Sequence, residues 1–322
     1  MTVLVVACAG LTVLAFLVGS SPISWAEFVE LVQGNASDTV RNVFLQLRLP
    51  RAIGALLVGC ALSVSGCALQ SVFRNPMADP YVLGISAGAG LGAALAMALL
   101  PQGGQAAVAG TGFVFAIGTI ILVYNTARIA GKVSSYSLLL SGFVISALMS
   151  ALLSLVMILN RDKMEQVVMW NLGSLSAMSW ERIWVLLPVC TAGTVLLGLY
   201  GGPLNVMLTG EESAEALGVD TQRTRRVILG SASLLCAAAV SVSGVIGFVG
   251  LMVPHLLRLA SSPDNRILIP LCAAGGGAYL LACDIAARTV VPSRELPVGI
   301  VTAILGVPFF VFLLRRSRGG RT

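Results

Sequence analysis

Few side chains in this sequence are of types that perform chemistry, and together they form no catalytic set. The single histidine is His255, and the seven cysteines lie inside apolar runs without a CxxC or a Cys–His spacing suited to zinc. The sequence contains no GxxxxGK[ST], HExxH or GxSxG pattern. We therefore predict no metal site, no cofactor and no enzymatic activity in this chain.

Asp284 and Arg288 are charged residues within an otherwise apolar segment. An acid inside a membrane segment is a candidate functional residue. The i, i+4 spacing places both side chains on one helix face, where they can form an ion pair. A buried ion pair and a proton relay remain open as interpretations, and the spacing favours the pair.

The most polar stretch is TGEESAEALGVDTQRTRR, residues 209–226. Its carboxylates fall in the first turns of a short predicted helix, where they favour the positive end of the helix dipole. Small apolar residues form one side, and a glycine marks the predicted end. The stretch is either a solvated loop or a docking helix for a soluble partner. Its candidate docking residues are Glu211, Glu212, Ala214, Ala216, Leu217 and Gly218.

Three arginines lie at the mouths of predicted membrane helices. Arg48 and Arg51 belong to LRLPR, before the second helix, and Arg294 belongs to RELPVG, before the tenth. Arginines at membrane edges commonly extend their charged ends toward water. The alternative interpretation is a cationic ring that receives an acidic partner.

The composition determines the class of protein. Of 322 residues, 57% are hydrophobic and 11% are charged, whereas a soluble domain carries about 25% charged residues. The mean hydropathy is +0.93. This number of charged residues is too small to cover the surface of a soluble protein. We therefore predict an all-α, polytopic membrane protein surrounded by lipid. The net charge of +6 comes from basic residues scattered among apolar segments, which does not favour a nucleic-acid partner.

About ten segments are apolar enough to be membrane helices. The predicted segments are Val3–Val18, Ala52–Phe73, Val82–Leu100, Ala106–Tyr124, Ser137–Leu159, Ile183–Leu199, Val227–Val242, Ile246–Leu257, Ile267–Ala287 and Val298–Leu314. With both termini in the cytoplasm, 12 of the 20 Lys and Arg residues face the cytoplasm and 8 face outside. SVSG at residues 63–66 recurs at 241–244, and Pro76 and Pro254 share this offset. Chance recurrence in a Ser/Gly-rich chain and an inverted repeat, whose copies would run in opposite directions, both remain open as explanations.

The stretch RNPMADP, residues 74–80, interrupts two apolar helices. Its prolines end one helix and separate it from the next. Asn75 and Asp79 can satisfy backbone groups freed at the break. We predict a cytoplasmic turn with no catalytic role.

In order along the chain, several stretches resemble the permease family of ABC importers for ferric siderophores, haem and cobalamin. They span Leu47 to Leu314 and read LRLPR, SVSGCALQSVFRNPMADPYVLGISAGA, LLLSGFVISALMSALLSL, WNLGSLSAMSW, GEESAEALGVD, SGVIGFVGLMVPHLLRL, ACDIAAR and ELPVGIVTAILGVPFFVFLL. Any one alone is weak, but the ordered set is specific.

The resemblance implies a type II importer permease fold, with residues 1–322 as one domain in the cytoplasmic (inner) membrane. It implies a homodimer with two ATP-binding cassette subunits on the cytoplasmic face and a soluble substrate-binding protein outside. Residues 209–226 would be the coupling loop to the ATPase. Arg48, Arg51 and Arg294 would meet glutamates of the binding protein. Ser137–Leu159 and the tenth helix would line the pathway.

The expected function is ATP-driven import of an iron chelate, a ferric siderophore or haem, by alternating access. A cobalamin permease of the same family is the first alternative. An ion-coupled secondary transporter is a second, and it would depend on Asp284 with Arg288. A membrane scaffold without transport is a third.

Overall fold

The computed structural model describes residues 2–18, 25–129, 132–291 and 294–319, and almost all of its regular structure is helical. The α-helices of these residues are α1 Thr2–Leu17, α2 Trp25–Val32, α3 Asp38–Asn42, α4 Leu49–Val72, α5 Ile85–Leu99, α6 Gly104–Ala127, α7 Ser135–Leu159, α8 Met164–Asn171, α9 Trp180–Leu199, α10 Gly201–Met207, α11 Glu211–Ala216, α12 Thr221–Ser243, α13 Val249–Ala260, α14 Asn265–Thr289 and α15 Val298–Gly319. Two two-residue strands, β1 Arg128–Ile129 and β2 Lys132–Val133, pair antiparallel after α6.

Six described helical segments are long and apolar enough to cross a bilayer. They are Asp38–Val72, Pro101–Ala127, Ser135–Leu159, Trp180–Leu199, Thr221–Ser243 and Asn265–Thr289. Four shorter apolar helices, Val6–Leu17, Ile85–Leu99, Val249–Ala260 and Val298–Phe312, accompany them. Each of these segments overlaps one of the ten predicted ones, which confirms the all-helical, polytopic fold.

Two predicted helix starts are wrong because the cap residues lie earlier in the chain. Helical structure leading into α4 begins at Asp38 rather than Ala52, after Ser37, whose hydroxyl accepts a hydrogen bond from the Val40 N–H at 3.4 Å. The seventh membrane helix begins at Thr221 rather than Val227. The Asp220 carboxylate caps it by accepting from the Arg223 N–H at 2.8 Å. Polar residues thus extend both helices beyond their apolar runs.

The helix α4 is the central element of the bundle. It is largely buried and packs against α12, α13 and α14. At Gly59 an added Cβ would overlap the carbonyl oxygen of Gly276, and at Gly66 it would overlap the carbonyl oxygen of Gly250. Small residues allow membrane helices to approach this closely, and dispersion contacts then replace the hydrophobic drive that lipid does not supply.

Polar side chains join α4 to its neighbours across these close contacts. The Ser65 hydroxyl lies 2.9 Å from the carbonyl oxygen of Ala232 in α12. The Ser71 hydroxyl donates to the Asn265 Oδ1 at 2.8 Å, and the Asn265 side chain donates to Asn205 Oδ1 at 2.9 Å. Such bonds satisfy buried polar groups and fix the rotation of each helix about its axis.

The chain is unwound between α12 and α13, at residues 244–248. Gly244 has φ 70° and Phe248 has φ 68°. The Tyr81 hydroxyl donates to the Ile246 carbonyl at 2.9 Å and accepts from the Ile246 N–H at 3.2 Å, so both backbone groups of this buried residue in the break are bonded. The predicted start of the eighth helix, Ile246, is therefore wrong, and α13 begins at Val249.

The two SVSG copies occupy different local structures. Residues 63–66 lie inside α4, whereas residues 241–244 form the end of α12. Pro76 lies in a turn, whereas Pro254 lies inside α13. The two copies therefore differ in local structure, and the inverted repeat stays a prediction.

The close approach of α4 and α13 gives a first prediction. Gly66→Ala should destabilise the folded protein by about 1–3 kcal/mol or more, because the added methyl group must displace the Gly250 backbone. The melting temperature of the purified protein in detergent measures this change.

The matched control is Gly118→Ala in α6, where an added Cβ meets nothing within 4 Å. It should melt at or slightly above the temperature of the native chain, since alanine favours helix more than glycine does. Equal melting temperatures for the two variants would contradict the packing argument.

Candidate functional site

The predicted functional residues lie at two opposite ends of the bundle. The helix α4 runs from Arg48 and Arg51 at one end, here called the arginine end, toward the other end, here called the loop end, which carries residues 209–226. Its 24 residues separate these ends by roughly 36 Å at about 1.5 Å per residue. The helix α14 runs in the opposite direction and brings Asp284 and Arg288 to the arginine end.

Asp284 is fully buried and contacts two arginines. Arg51 donates to its carboxylate from Nε at 3.1 Å and from Nη2 at 3.0 Å. The Nε of Arg288 lies 3.1 Å from Asp284 Oδ2. Arg51 also contacts Glu295 Oε2 at 2.7 Å. The i, i+4 pair of the sequence is therefore part of a larger cluster.

The same cluster fastens the end of α1. Arg288 Nη1 donates to the Val18 carbonyl at 3.2 Å, and Arg48 Nη1 donates to the Phe16 carbonyl. Cations are stabilising at the C-terminal end of a helix, where its dipole is negative. Removing one member of a buried ion pair typically costs about 3–5 kcal/mol. The contacts favour a structural role for Asp284 over a proton relay.

The three predicted docking arginines differ in their environments. Arg48 is 6% exposed, and the Arg51 side chain is 12% exposed and bound to Asp284 and Glu295. Arg294 is exposed at the surface. Burial and ion pairing therefore engage Arg48 and Arg51 inside the chain, and docking by the three arginines stays a prediction.

The helix α11 occupies the predicted docking loop between α10 and α12. It follows Gly210, at φ 123°, and ends before Gly218, at φ 83°. The Gly218 N–H bonds to the Glu215 carbonyl at 2.9 Å, and the Val219 N–H bonds to the Ala214 carbonyl at 3.0 Å. Gly218 thus ends the helix in the left-handed conformation, as the sequence predicts.

Two of the candidate docking residues hold α11 against the bundle. Ala214 is fully buried, and Glu211 forms an ion pair with Arg225, which is 1% exposed. Arg225 Nη1 also donates to the Val133 carbonyl at 2.5 Å. Sequence reasoning missed Arg225 as an anchor, because a separation of 14 residues from Glu211 carries no local periodic signal.

The remaining candidates in this loop point outward. Glu212, Ala216, Leu217 and Gly218 are exposed. Leu217, directly after α11, is 69% exposed. The outer face of α11 therefore combines a negative charge with an apolar side chain.

The turn after α4 is closed by its own polar residues. Asn75 Oδ1 accepts from the Met77 N–H at 2.9 Å, and Asp79 Oδ1 accepts from the Tyr81 N–H at 2.7 Å. This confirms that Asn75 and Asp79 satisfy backbone groups at the break. Burial raises the pKa of the Asp79 carboxyl to about 6, against the opposite effect of the Tyr81 hydrogen bond.

A second carboxylate near the loop end caps α14. Asp264 accepts from the Arg266 N–H at 2.9 Å and from the Asn205 side chain at 2.5 Å. These hydrogen bonds lower the pKa of Asp264, the bond from the Arg266 backbone contributing most. The carboxylate is thus held in its charged form.

No metal-binding cluster was found among the described residues, in which three or more His, Cys, Asp or Glu side chains nowhere converge. All seven cysteines are free thiols. The His255 ring lies in α13 beside Phe309, and its buried Nδ1 has no hydrogen-bond partner.

A cavity of about 530 Å³ opens at the arginine end, and Lys163, Trp170 and Arg182 are among its lining residues. Arg182 donates to the Val242 carbonyl at 2.9 Å and to Gln105 Oε1 at 2.8 Å, both neutral acceptors. This cavity adds positive charge to the arginine end.

Comparison with known proteins covers nearly the whole chain. The FecCD transport family matches residues 4–316. The cobalamin import permease BtuC of Halobacterium salinarum is 39% identical over 98% of this chain and 89% of its own length. The hemin transport permease HmuU of Yersinia pestis is 37% identical over 92% of this chain and 90% of its own length.

Solved structures give the same result. An inward-facing metal-chelate type ABC transporter superimposes with a TM-score of 0.86 at 29% identity, covering 97% of both chains. PsaBC from Streptococcus pneumoniae, in complex with a Fab, has a TM-score of 0.60 at 17% identity, which shows only a shared fold. The match across residues 4–316 and the identities above agree, and the chain belongs to the FecCD transport family.

Proposed function

We propose that this chain is the membrane permease subunit of an ATP-driven ABC importer that moves an iron chelate, a ferric siderophore or haem, by alternating access. The observation that carries the proposal is α11, an exposed helix anchored by the buried Arg225 at one end of a FecCD-family membrane bundle. Its relatives include a hemin transport permease, and a structural neighbour is a metal-chelate type transporter.

The energy source would lie in another polypeptide. The sequence has no phosphate-binding loop, so two ATP-binding cassette subunits would hydrolyse ATP at the loop end. The helix α11 would transmit their closure to the bundle, because it is joined to α12 through the Glu211–Arg225 ion pair and by the hydrogen bond between Glu215 and Thr221 at 2.7 Å. The permease would perform no covalent chemistry.

A second copy of the chain would complete the pathway. The helix α7 crosses the bundle yet is mostly exposed in the single chain, with Phe143 71% exposed. The same helix exposes Ser150 and Ser154, and the Ser154 hydroxyl donates to the Ser150 carbonyl at 2.9 Å. A homodimer that places α7 and α15 along a shared pathway would cover these faces.

The distribution of charge supports a proposed orientation. The side of the bundle that carries the loop end has more Lys and Arg residues in total, so it would face the cytoplasm together with both termini. The arginine end, defined by Arg48 and Arg51, would face outside. There a soluble binding protein would deliver the chelate, and lipid of the inner membrane would surround the rest.

A cobalamin permease is the second candidate, and the 39% identity to the BtuC relative favours it. A cobalamin substrate would require the same fold and the same coupling helix. By contrast, an ion-coupled secondary transporter would use Asp284 as a proton or ion site, and the two arginines bound to Asp284 argue against this.

The direct test is uptake into proteoliposomes that contain the chain, its ATP-binding subunit and its binding protein. We expect ATP-dependent uptake of one labelled ligand out of a ferric siderophore, haem and cobalamin, and none when the ATP-binding subunit is omitted. Gradient-driven uptake by the chain alone would contradict the proposal, as would the absence of ATP-dependent uptake of every ligand.

Leu217 provides a test of the coupling helix. Leu217→Asp should weaken binding of the ATP-binding subunit by about tenfold or more, because it would bury an unpaired carboxylate in a contact that leucine fills with an apolar group. The dissociation constant in detergent and the ATP-dependent uptake rate measure it. Glu211→Lys is a poor substitute, since it also breaks the pair with buried Arg225.

Leu100→Asp is the matched control, because Leu100 is 51% exposed at the opposite end of the bundle. It should leave binding of the ATP-binding subunit unchanged. Similar binding by the Leu217 variant and this control would remove α11 from the interface.

At the arginine end, Arg294 is the residue that tests docking of the binding protein. Arg294→Glu should weaken binding-protein affinity by about three- to tenfold at low salt and by less at high salt, as for a charge at an interface rim. Arg41→Glu, at an exposed arginine remote in sequence, is the control. Unchanged affinity of the Arg294 variant at low salt would contradict its role.

Arg48 and Arg51 are unsuited to this test. Reversing either charge would place a carboxylate in the buried cluster around Asp284, so lost docking would be indistinguishable from a disturbed arginine end.

A further inference from the structure

The turn after α4 has an unusual backbone. Arg74 adopts φ 50°, and Phe248 is the only other non-glycine residue with positive φ in the described part of the chain. This conformation is favoured by glycine or asparagine and is strained for a long side chain. Such outliers persist where the surrounding structure holds them, and they cluster at functional sites.

Hydrogen bonds hold this turn in one conformation. The N–H groups of Phe73, Arg74 and Asn75 bond back to carbonyls of α4 at 2.9–3.2 Å. The Met77 N–H bonds to the Asn75 side chain, and the Ala78 N–H bonds to the Asn75 carbonyl at 3.0 Å. The side chains on its outer edge are therefore displayed from a fixed frame.

The outer edge of the turn, Arg74–Met77, is exposed along its whole length, and Met77 is 42% exposed. Arg74 forms no salt bridge within 4.0 Å to any described carboxylate. An unpaired cation beside an exposed methionine suits a contact with another protein better than it suits the bundle itself.

The turn lies directly beside the coupling helix. A Cβ added to Gly210, the residue before α11, would lie 3.8 Å from Arg74 Nη1. The Arg74–Met77 edge and the outer face of α11 thus form one continuous surface at the loop end. This surface carries a positive charge at Arg74, a negative charge at Glu212 and apolar groups at Met77 and Leu217.

We propose that the Arg74–Met77 edge is a second docking element for the ATP-binding subunit, in which Arg74 binds a carboxylate of that subunit. The inference rests on the proposed function, because it needs α11 to meet the same partner. The positive charge of Arg74 and the negative charge of Glu212 lie on neighbouring elements, so the partner surface must carry a negative and a positive charge opposite them. Such a pattern fixes the orientation of the partner.

Two variants of Arg74 test the side chain apart from the backbone. Arg74→Gly removes the guanidinium and relieves the strained φ, so its melting temperature should equal or exceed that of the native chain. Its affinity for the ATP-binding subunit should fall by about three- to tenfold, and Arg74→Glu should lower it by about tenfold or more. The affinity of Arg74→Gly should also depend less on salt than the native affinity does.

Arg315→Glu is the matched control, since Arg315 is an exposed arginine on α15, which packs against α13 and α14. All variants are measured as the full-length chain in detergent with the purified ATP-binding subunit, and ATP-dependent uptake is measured in proteoliposomes. The control should bind as the native chain does.

Native affinity in Arg74→Gly would overturn the proposal, and so would a lowered melting temperature, because the side chain would then be structural. If Leu217→Asp weakens binding while both Arg74 variants bind normally, only this inference fails. If Leu217→Asp and the Arg74 variants all bind normally, both this inference and the proposed function fail.

Discussion

Helix association without a hydrophobic drive is the constraint on which this structure depends. Lipid solvates leucine as well as a neighbouring helix does, so the bundle must be held by close contact and by polar bonds. The buried helix α4 meets this constraint with Gly59 and Gly66, which bring its backbone against α14 and α13. The helices α1, α9, α12, α13 and α14 pack directly on α4, so a wider α4 would move these neighbours outward.

Charges at the two ends of the bundle follow one rule. At the arginine end, buried Asp284 is matched by Arg51 and Arg288, and the spare donors reach the end of α1. At the loop end, buried Arg225 is matched by Glu211 and by the Val133 carbonyl. In each case a buried charge is paired with an opposite charge, and the residues left exposed nearby are those that a partner can reach.

The arrangement links the proposed coupling helix to the interior of the bundle. The helix α11 is held on α12, and α12 runs without interruption to the unwound residues 244–248. The Tyr81 hydroxyl, next to the turn after α4, binds that unwound segment at Ile246. Both elements are therefore connected to the unwound residues 244–248. The Arg74–Met77 edge is connected to them through Tyr81, and α11 is connected to them through α12.

The sequence by itself determined the membrane class, the ten apolar segments, the helix stop at Gly218 and the capping roles of Asn75 and Asp79. These features depend on composition and on contacts between residues close in the chain. Only the tertiary structure decided that Arg51 binds Asp284 across 233 residues, that Arg225 anchors Glu211, and that Arg74 lies beside Gly210. Those contacts depend on how helices pack, and helical periodicity states which face is apolar but not which neighbour that face meets.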